Sequence, residues 1–192
     1  EPVKSFSENI SRKIELKKLK NFEIYNVGLG SENTEEEIFI ADGDSSGSTS
    51  LLEPRPSGIT FSNKEVVKIR TYKSLGIKNI DLAIIDTQGY ELEVLKGFEE
   101  EIANFKYLIV EFNVSEGYIG QVVFSDLDSY LINNSFTRIK TIRKINQDKY
   151  NDVNYGDAIY INNTLVNKSK VSMYKVFNKF IDSILYKMFL IF

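Results

Sequence analysis

Two carboxylates and one amide side chain stand directly after apolar segments in the middle of the chain. Asp86 and Gln88 follow the apolar run at 82–85, and Glu111 lies near the end of a second run at 107–112. Ligands bind at the carboxyl ends of the strands in open α/β sheets, so these side chains are candidates for a functional site. Two carboxylates at neighbouring strand ends perturb each other, and one of them can act as the base for a hydroxyl. Gln88 can orient a hydroxyl but cannot take its proton.

The residues around this group predict a strand, a turn, a helix and a second strand. The runs at 82–85 and 107–112 are of the apolar kind that parallel sheets bury on both faces. Polar residues and Gly89 form the turn, and Glu91 and Glu93 suit the positive end of the helix that follows it. Four apolar residues at helical spacing give this helix one buried stripe: Leu92, Leu95, Phe98 and Ile102. The result is a βαβ unit with acidic groups at one rim.

The rest of the chain predicts an α/β protein of about one domain. Residues 41–63 are rich in Gly, Ser and Pro, so we expect a long, flexible loop there. The last two strands are expected to be joined without a helix. Helices are predicted at 3–19 and 124–132, and strands at 22–29, 37–41, 65–71 (an edge strand), 137–145 and 157–162.

The composition excludes several classes of function. The chain has no cysteine, which excludes a disulfide, a thiolate nucleophile and a cysteine-ligated metal. It has no histidine, which excludes an imidazole base or ligand. Acid–base chemistry must therefore use Asp, Glu, Lys or Tyr. The formal net charge of −3 gives no electrostatic support for nucleic-acid binding.

The loop at 41–63 also contains the residue spacing of an EF-hand calcium site. Gly47 and Glu53 occupy the sixth and twelfth places of that spacing. An EF-hand needs a helix on each side, whereas residues 38–41 alternate like a strand and Pro54 and Pro56 prevent an immediate helix. We therefore expect a loop on the substrate side and no metal site. The side chains with the calcium spacing are Asp42, Asp44, Ser46, Ser48, Ser50 and Glu53.

The segment from Asp86 to Gly97, with Glu111 at the expected distance, resembles the signature of the FkbM-like methyltransferases. Weaker agreement extends from residue 1 to about 161, and residues 48–52 resemble a serine-leucine stretch of the family. The resemblance implies transfer of a methyl group from S-adenosylmethionine (SAM) to a hydroxyl of a sugar, polysaccharide or natural product. It also implies a Rossmann-like class I methyltransferase fold, with a mostly parallel sheet and antiparallel final strands. The alternative is another βαβ protein with an Asp-Gly turn.

The resemblance implies cofactor-binding roles for five residues. Glu1 would accept the ribose hydroxyls of SAM, because a carboxylate can accept two hydrogen bonds. Segment 28–31 would lie beside the adenine. The alternative for Glu1 is a solvated end of the chain with no role. The implied cofactor-binding residues are Glu1, Gly28, Leu29, Asp86 and Gln88.

The implied catalytic residues are Asp86 and Glu111. The family often has glutamate where this chain has Gln88, so the choice of base stays open. The alternatives to catalysis are that Asp86 caps the helix after the turn and that Glu111 meets a lysine. The expected partner is a small-molecule or glycan acceptor.

The resemblance also predicts how the domain is organised. The first strand and glycine-rich turn of the fold would precede Glu1, so we expect a chain that lacks them. Residues 1–163 would form the methyltransferase domain, and residues 164–192 an amphipathic helical extension. Lysines interrupt the apolar stripe at 170–192, which argues against a spanning helix. This helix would instead contact a membrane surface or a second copy of the chain, or pack on the domain.

A cytoplasmic location is the default expectation for such a chain, with membrane association through residues 170–192 as a variant of it. A rival function from a different class also stays open. It is a non-catalytic α/β module that binds a glycan or a membrane.

Overall fold

The computed structural model describes residues 1–145 and 154–166. The described residues belong to two compact units, one at 1–28 and the other at Leu29–Val166. The extension predicted at 164–192 lies outside the described residues from 167 onward, so its helix at 170–192 lies wholly outside them. Within the described part of the chain, no helix is long and apolar enough to cross a membrane.

The first unit contains one helix, α1 (Lys4–Leu16). Val3 is its N-cap residue, and the backbone N–H of Val3 donates to Glu1 Oε1 at 2.9 Å. The sequence predicted a helix at 3–19, three residues longer at its end. Lys18 and Asn21 have φ values of 52° and 65°, which a right-handed helix does not allow.

The strand predicted at 22–29 is wrong for most of its length. Only Gly28–Leu29, named β1, is a strand. Asn26 shows the local reason, because its side-chain amide donates to the carbonyl oxygens of Glu1 and Pro2 at 3.0 Å each. Such side-chain to backbone bonds compete with the pairing of a strand.

A three-stranded sheet has the order β1-β3-β2. β2 (Thr34–Ile40) and β3 (Asn63–Arg70) are antiparallel partners. The prediction of an edge strand at 65–71 is therefore wrong, because β3 is the central strand. The residues of β3 alternate like those of an edge strand because the strand on one side of β3 is very short. β1 is only two residues long, so it can cover only a small part of β3.

A second sheet has four strands in the order β4-β5-β7-β6. β4 and β5 are parallel, whereas β7 is antiparallel to both of its neighbours. The described strands thus confirm a mixed α/β fold, and they form two sheets where one mostly parallel sheet was expected. The strands of the second sheet are β4 (Leu82–Ile85), β5 (Tyr107–Asn113), β6 (Phe136–Ile145) and β7 (Asn154–Asn162).

Two further helices pack against the second sheet. They are α2 (Glu91–Lys96) and α3 (Phe124–Asn133), and a 3₁₀ turn at Glu99–Asn104 follows α2. Three of the four residues of the apolar stripe predicted after the turn are buried, since Leu95, Phe98 and Ile102 are 0–4% exposed. The fourth, Leu92, is partly buried against the same core. This burial holds α2 against β5 and so fixes the turn that precedes the helix.

The backbone of Gly97, at the end of α2, lies against the backbone of Gly30. A Cβ atom at Gly97 would overlap the carbonyl oxygen of Gly30. Gly30 is equally confined, because a Cβ there would come within 2.6 Å of Cγ2 of Ile69. Its N–H also donates to the carbonyl of Arg70 at 3.0 Å. The last glycine of the signature is therefore required by a lack of space.

We expect Gly97→Ala to lower the free energy of unfolding by about 3 kcal/mol, because the added methyl group forces two backbones apart. Gly97 has a φ of −70°, so backbone strain does not contribute. The matched control is Gly58→Ala in the long loop, where a Cβ meets nothing within 4 Å. Urea unfolding measures both changes. Equal effects at the two glycines would contradict this account of Gly97.

Candidate active site

The turn after β4 contains two consecutive residues with positive φ. Gln88 has a φ of 53° and Gly89 a φ of 105°. The left-handed conformation costs a residue with a Cβ roughly 1–2 kcal/mol, so the surroundings must hold Gln88 in place. Gly89 is also crowded, since a Cβ there would lie 3.1 Å from Leu52 and 3.3 Å from both Gln121 and Tyr118. The turn is thus built for a close approach of other side chains.

The structure brings the three central side chains of the predicted site together. The Gln88 Nε2 group donates to Asp86 Oδ1 at 2.7 Å and to Glu111 Oε2 at 2.8 Å. The parallel register of β4 and β5 explains the meeting, because Ile85 pairs with Val110 and the next residues are Asp86 and Glu111. Both carboxylates therefore lie at the same edge of the sheet, with the amide between them.

The two carboxylates differ in their access to solvent. Asp86 is exposed, whereas Glu111 is only 4% exposed. Across the sheet, Glu111 has another acidic residue, Asp157, as its register partner in β7. A ligand that enters from solvent reaches Asp86 first. The amide of Gln88 connects the buried Glu111 to the exposed Asp86.

The buried Glu91 carboxylate accepts hydrogen bonds from the turn, a role that the sequence analysis missed. It is 5% exposed, and its Oε1 accepts bonds from the Thr87 N–H at 2.9 Å, the Thr87 hydroxyl at 3.1 Å and the Gly89 N–H at 3.0 Å. The N-cap of α2 is Tyr90, with no side-chain capping bond, and Asp86 Oδ1 accepts from Gln88 instead, so the alternative role of Asp86 as the cap is not supported. The sequence contains one signal for this role of Glu91, which is an acidic residue at the first helical position after a Thr-x-Gly turn.

The charge on Glu91 is disfavoured in the folded protein. Burial raises the pKa of Glu91, and the hydrogen bonds from Gly89 and Thr87 oppose that rise without cancelling it. The sequence analysis gave Glu91 only a favourable position at the start of a helix. Its burial comes from packing that the sequence pattern does not show.

The loop predicted to be flexible is bound to this turn. The Ser50 hydroxyl donates to the Gln88 carbonyl at 2.7 Å, and the Tyr118 hydroxyl donates to the Ser48 carbonyl at 2.8 Å. Burial raises the pKa of Tyr118 to about 12, and the nearby Glu111 carboxylate adds to the rise. The Tyr118 hydroxyl therefore keeps its proton and serves as a donor at neutral pH.

A second loop, at 114–123, lines the same edge of the sheet. Its Gly117 carbonyl accepts a bond of 3.1 Å from the Arg55 N–H, and its Ile119 N–H donates to the Glu53 carbonyl at 2.8 Å. Gln121 is 3% exposed, and its Nε2 has no hydrogen-bond partner among the described residues. The two loops thus pair with each other beside the turn.

The acidic side chains with calcium spacing do not gather around one point. Asp42 accepts hydrogen bonds from the hydroxyl and the N–H of Ser62, and the hydroxyl bond lowers the pKa of Asp42. Ser48 and Ser50 are engaged with Tyr118 and Gln88. Within residues 1–145 and 154–166, no group of three or more acidic side chains could hold a metal ion.

The remaining predicted residues lie at the start of the chain. Glu1 and Gly28 belong to the first unit, where the Glu1 carboxylate accepts the Val3 N–H. Leu29 belongs to the second unit and packs against its hydrophobic core. The roles of these three residues in cofactor binding stay predictions.

Comparison with known proteins gives one match. The family model for the methyltransferase FkbM domain matches residues 1–138. This range includes all five predicted cofactor-binding residues and Glu111. No curated protein and no solved structure matches the chain significantly.

The raised pKa of Glu91 predicts a pH dependence of stability. A carboxylate whose pKa is higher in the folded state favours folding while it is protonated, so its contribution falls as the pH rises above the ordinary value of about 4.3. Glu91→Gln removes this ionisation. We therefore expect the stability of the native protein, relative to that of Glu91→Gln, to fall as the pH is raised from 4.

Urea unfolding of both proteins across this pH range measures the effect. Glu15→Gln, on the exposed side of α1, controls for the loss of one carboxylate. A native protein that gains stability over Glu91→Gln as the pH rises would show that the pKa of Glu91 is lowered by folding.

Proposed function

Because the chain belongs to the FkbM methyltransferase family, we propose that it transfers a methyl group from SAM to a hydroxyl of a sugar, polysaccharide or natural product. The observation that carries the proposal is the group of Asp86, Gln88 and Glu111 at the carboxyl ends of β4 and β5. Ligands of α/β sheets bind at such an edge. The acidic side chains suit a partner with hydroxyl or ammonium donors.

The strand directions support a class I, Rossmann-like arrangement for this function. In the four-stranded sheet, β4, β5 and β6 point the same way and β7 runs opposite to them. The two-residue β1 and the α1 helix lie within the matched range, as do Glu1, Gly28 and Leu29. We assign to Glu1 the ribose hydroxyls of the cofactor and to Gly28 and Leu29 the adenine.

The chain fits the cofactor by the chemistry of its side chains. When bound, SAM supplies a methyl group that is already activated by the sulfonium charge. The protein therefore has mainly to position an acceptor, which can supply much of the rate. Asp86 is an exposed carboxyl group beside the Gln88 amide, and both can bind polar groups of a ligand. We assign contacts with the cofactor and with the acceptor hydroxyl to Asp86 and Gln88.

The exposure of the two carboxylates favours Asp86 over Glu111 as the base. A base must come within hydrogen-bond distance of the hydroxyl from which it takes a proton. Asp86 is open to an incoming acceptor, whereas Glu111 is buried and its Oε2 is engaged by Gln88. We assign the proton transfer to Asp86. Glu111 keeps the Gln88 amide in position.

The first test is cofactor binding by the protein as its gene encodes it. We expect S-adenosylhomocysteine to bind in calorimetry and Asp86→Ala to weaken binding at least tenfold. The matched control is Asp81→Ala, which changes an exposed aspartate at the opposite end of β4, paired with Lys106. If the native protein does not bind S-adenosylhomocysteine, the enzyme hypothesis is rejected. The non-catalytic module that binds a glycan or a membrane then remains.

The second test separates the base from the buried carboxylate. With radiolabelled SAM and a panel of glycosides and polyols, Asp86→Asn should lower kcat by about 100-fold or more, because it removes the proton acceptor. Glu111→Gln keeps an oxygen that can accept from Gln88, so its kcat should stay within about tenfold of native. Glu111→Ala removes that oxygen and should lower kcat further than Glu111→Gln does. A Glu111→Gln enzyme as impaired as Asp86→Asn would make Glu111 the base.

A further inference from the structure

Ser50 is a polar residue in a buried position, and all of its polar groups have partners. It is 1% exposed. Its N–H donates to the Phe39 carbonyl at 3.1 Å, and its carbonyl accepts the Phe39 N–H at 2.8 Å. Its hydroxyl donates to the Gln88 carbonyl at 2.7 Å and accepts the Leu52 N–H at 3.0 Å. One residue therefore connects β2, the long loop and the turn after β4.

Gln88 is held from two sides. Its carbonyl is fixed by the Ser50 hydroxyl, and its side-chain amide is fixed by Asp86 and Glu111. Between these two ends the backbone has a φ of 53°, a conformation that a residue with a Cβ adopts only when its neighbours require it. Loss of either end removes one of the contacts that hold this conformation.

We propose that Ser50 is a positioning residue for the methyl transfer. It fixes the Gln88 backbone, so that the Gln88 amide stays between Asp86 and Glu111 and orients the Asp86 carboxylate. Its role in the reaction rests on the proposed function, whereas its effect on Gln88 is independent of that function. Ser50 itself does not touch the acceptor, because it is buried beneath the turn.

The long loop offers a matched control. Ser48 also contacts the site, but it does so through its carbonyl oxygen, which accepts from the Tyr118 hydroxyl. Ser48→Ala keeps that oxygen, whereas Ser50→Ala removes the hydroxyl that donates to Gln88. The two variants make the same chemical change two residues apart.

Nuclear magnetic resonance tests the effect on Gln88 without any ligand. The side-chain amide protons of Gln88 are assigned by their disappearance in Gln88→Ala. In the native protein they are bonded to two carboxylates, so we expect their exchange with water to be slow. We expect Ser50→Ala to speed that exchange about tenfold and Ser48→Ala to leave it within twofold. Slow backbone exchange of buried Ile109 in β5 shows that the fold is intact.

A second variant covers the case in which Ser50→Ala does not fold. Ser50→Cys keeps a similar size, but its thiol is a weak donor, so the exchange should speed in the same direction and by less. Gln88 protons that exchange as slowly in the folded variant as in the native protein would overturn the proposal. An equal effect from Ser48→Ala would overturn it as well.

Calorimetry with S-adenosylhomocysteine tests the functional part. We expect Ser50→Ala to weaken binding about tenfold in the native background and less than twofold in the Gln88→Ala background, because the effect passes through the amide. Equal losses in both backgrounds would overturn the positioning role. If the native protein binds no S-adenosylhomocysteine, the proposed function fails, and the proton exchange still decides whether Ser50 fixes Gln88.

Discussion

A buried carboxylate beneath a turn is the interaction on which the candidate site depends. Glu91 accepts bonds from the backbone and hydroxyl of Thr87 and from the backbone of Gly89. Burial of this acceptor is unfavourable for its charge, but without it the N–H groups of the turn would lose their hydrogen-bond acceptor. The turn therefore keeps one shape, and that shape places the Gln88 amide above the sheet edge.

Much of the site was predictable because its residues are close in sequence or follow paired strands. Asp86 follows a short apolar run and Glu111 lies near the end of the next, and parallel pairing alone brings such positions together. The buried stripe of Leu95, Phe98 and Ile102 was equally readable from helical spacing. Local pattern was sufficient wherever each element packs with the neighbour that follows it along the chain.

The parts that were missed depend on contacts between distant residues. Ser50 and Gln88 are 38 residues apart, and no periodicity in the loop marks which serine is buried. β3 was predicted as an edge strand because only two residues of β1 pair beside it. The segment at 22–27 has apolar residues suited to a strand, but Asn26 donates to the backbone of residues 1 and 2. Side-chain bonds of this kind have no signature in composition.

The contact between Gly30 and Gly97 has a consequence for redesign of the molecule. No side chain stands between these two backbones, so their separation is set by main-chain atoms alone. Substitutions in the surrounding core can change which side chains pack beside these two backbones. They cannot change the distance between the backbones in small steps. Redesign of the surrounding core must therefore leave positions 30 and 97 unchanged.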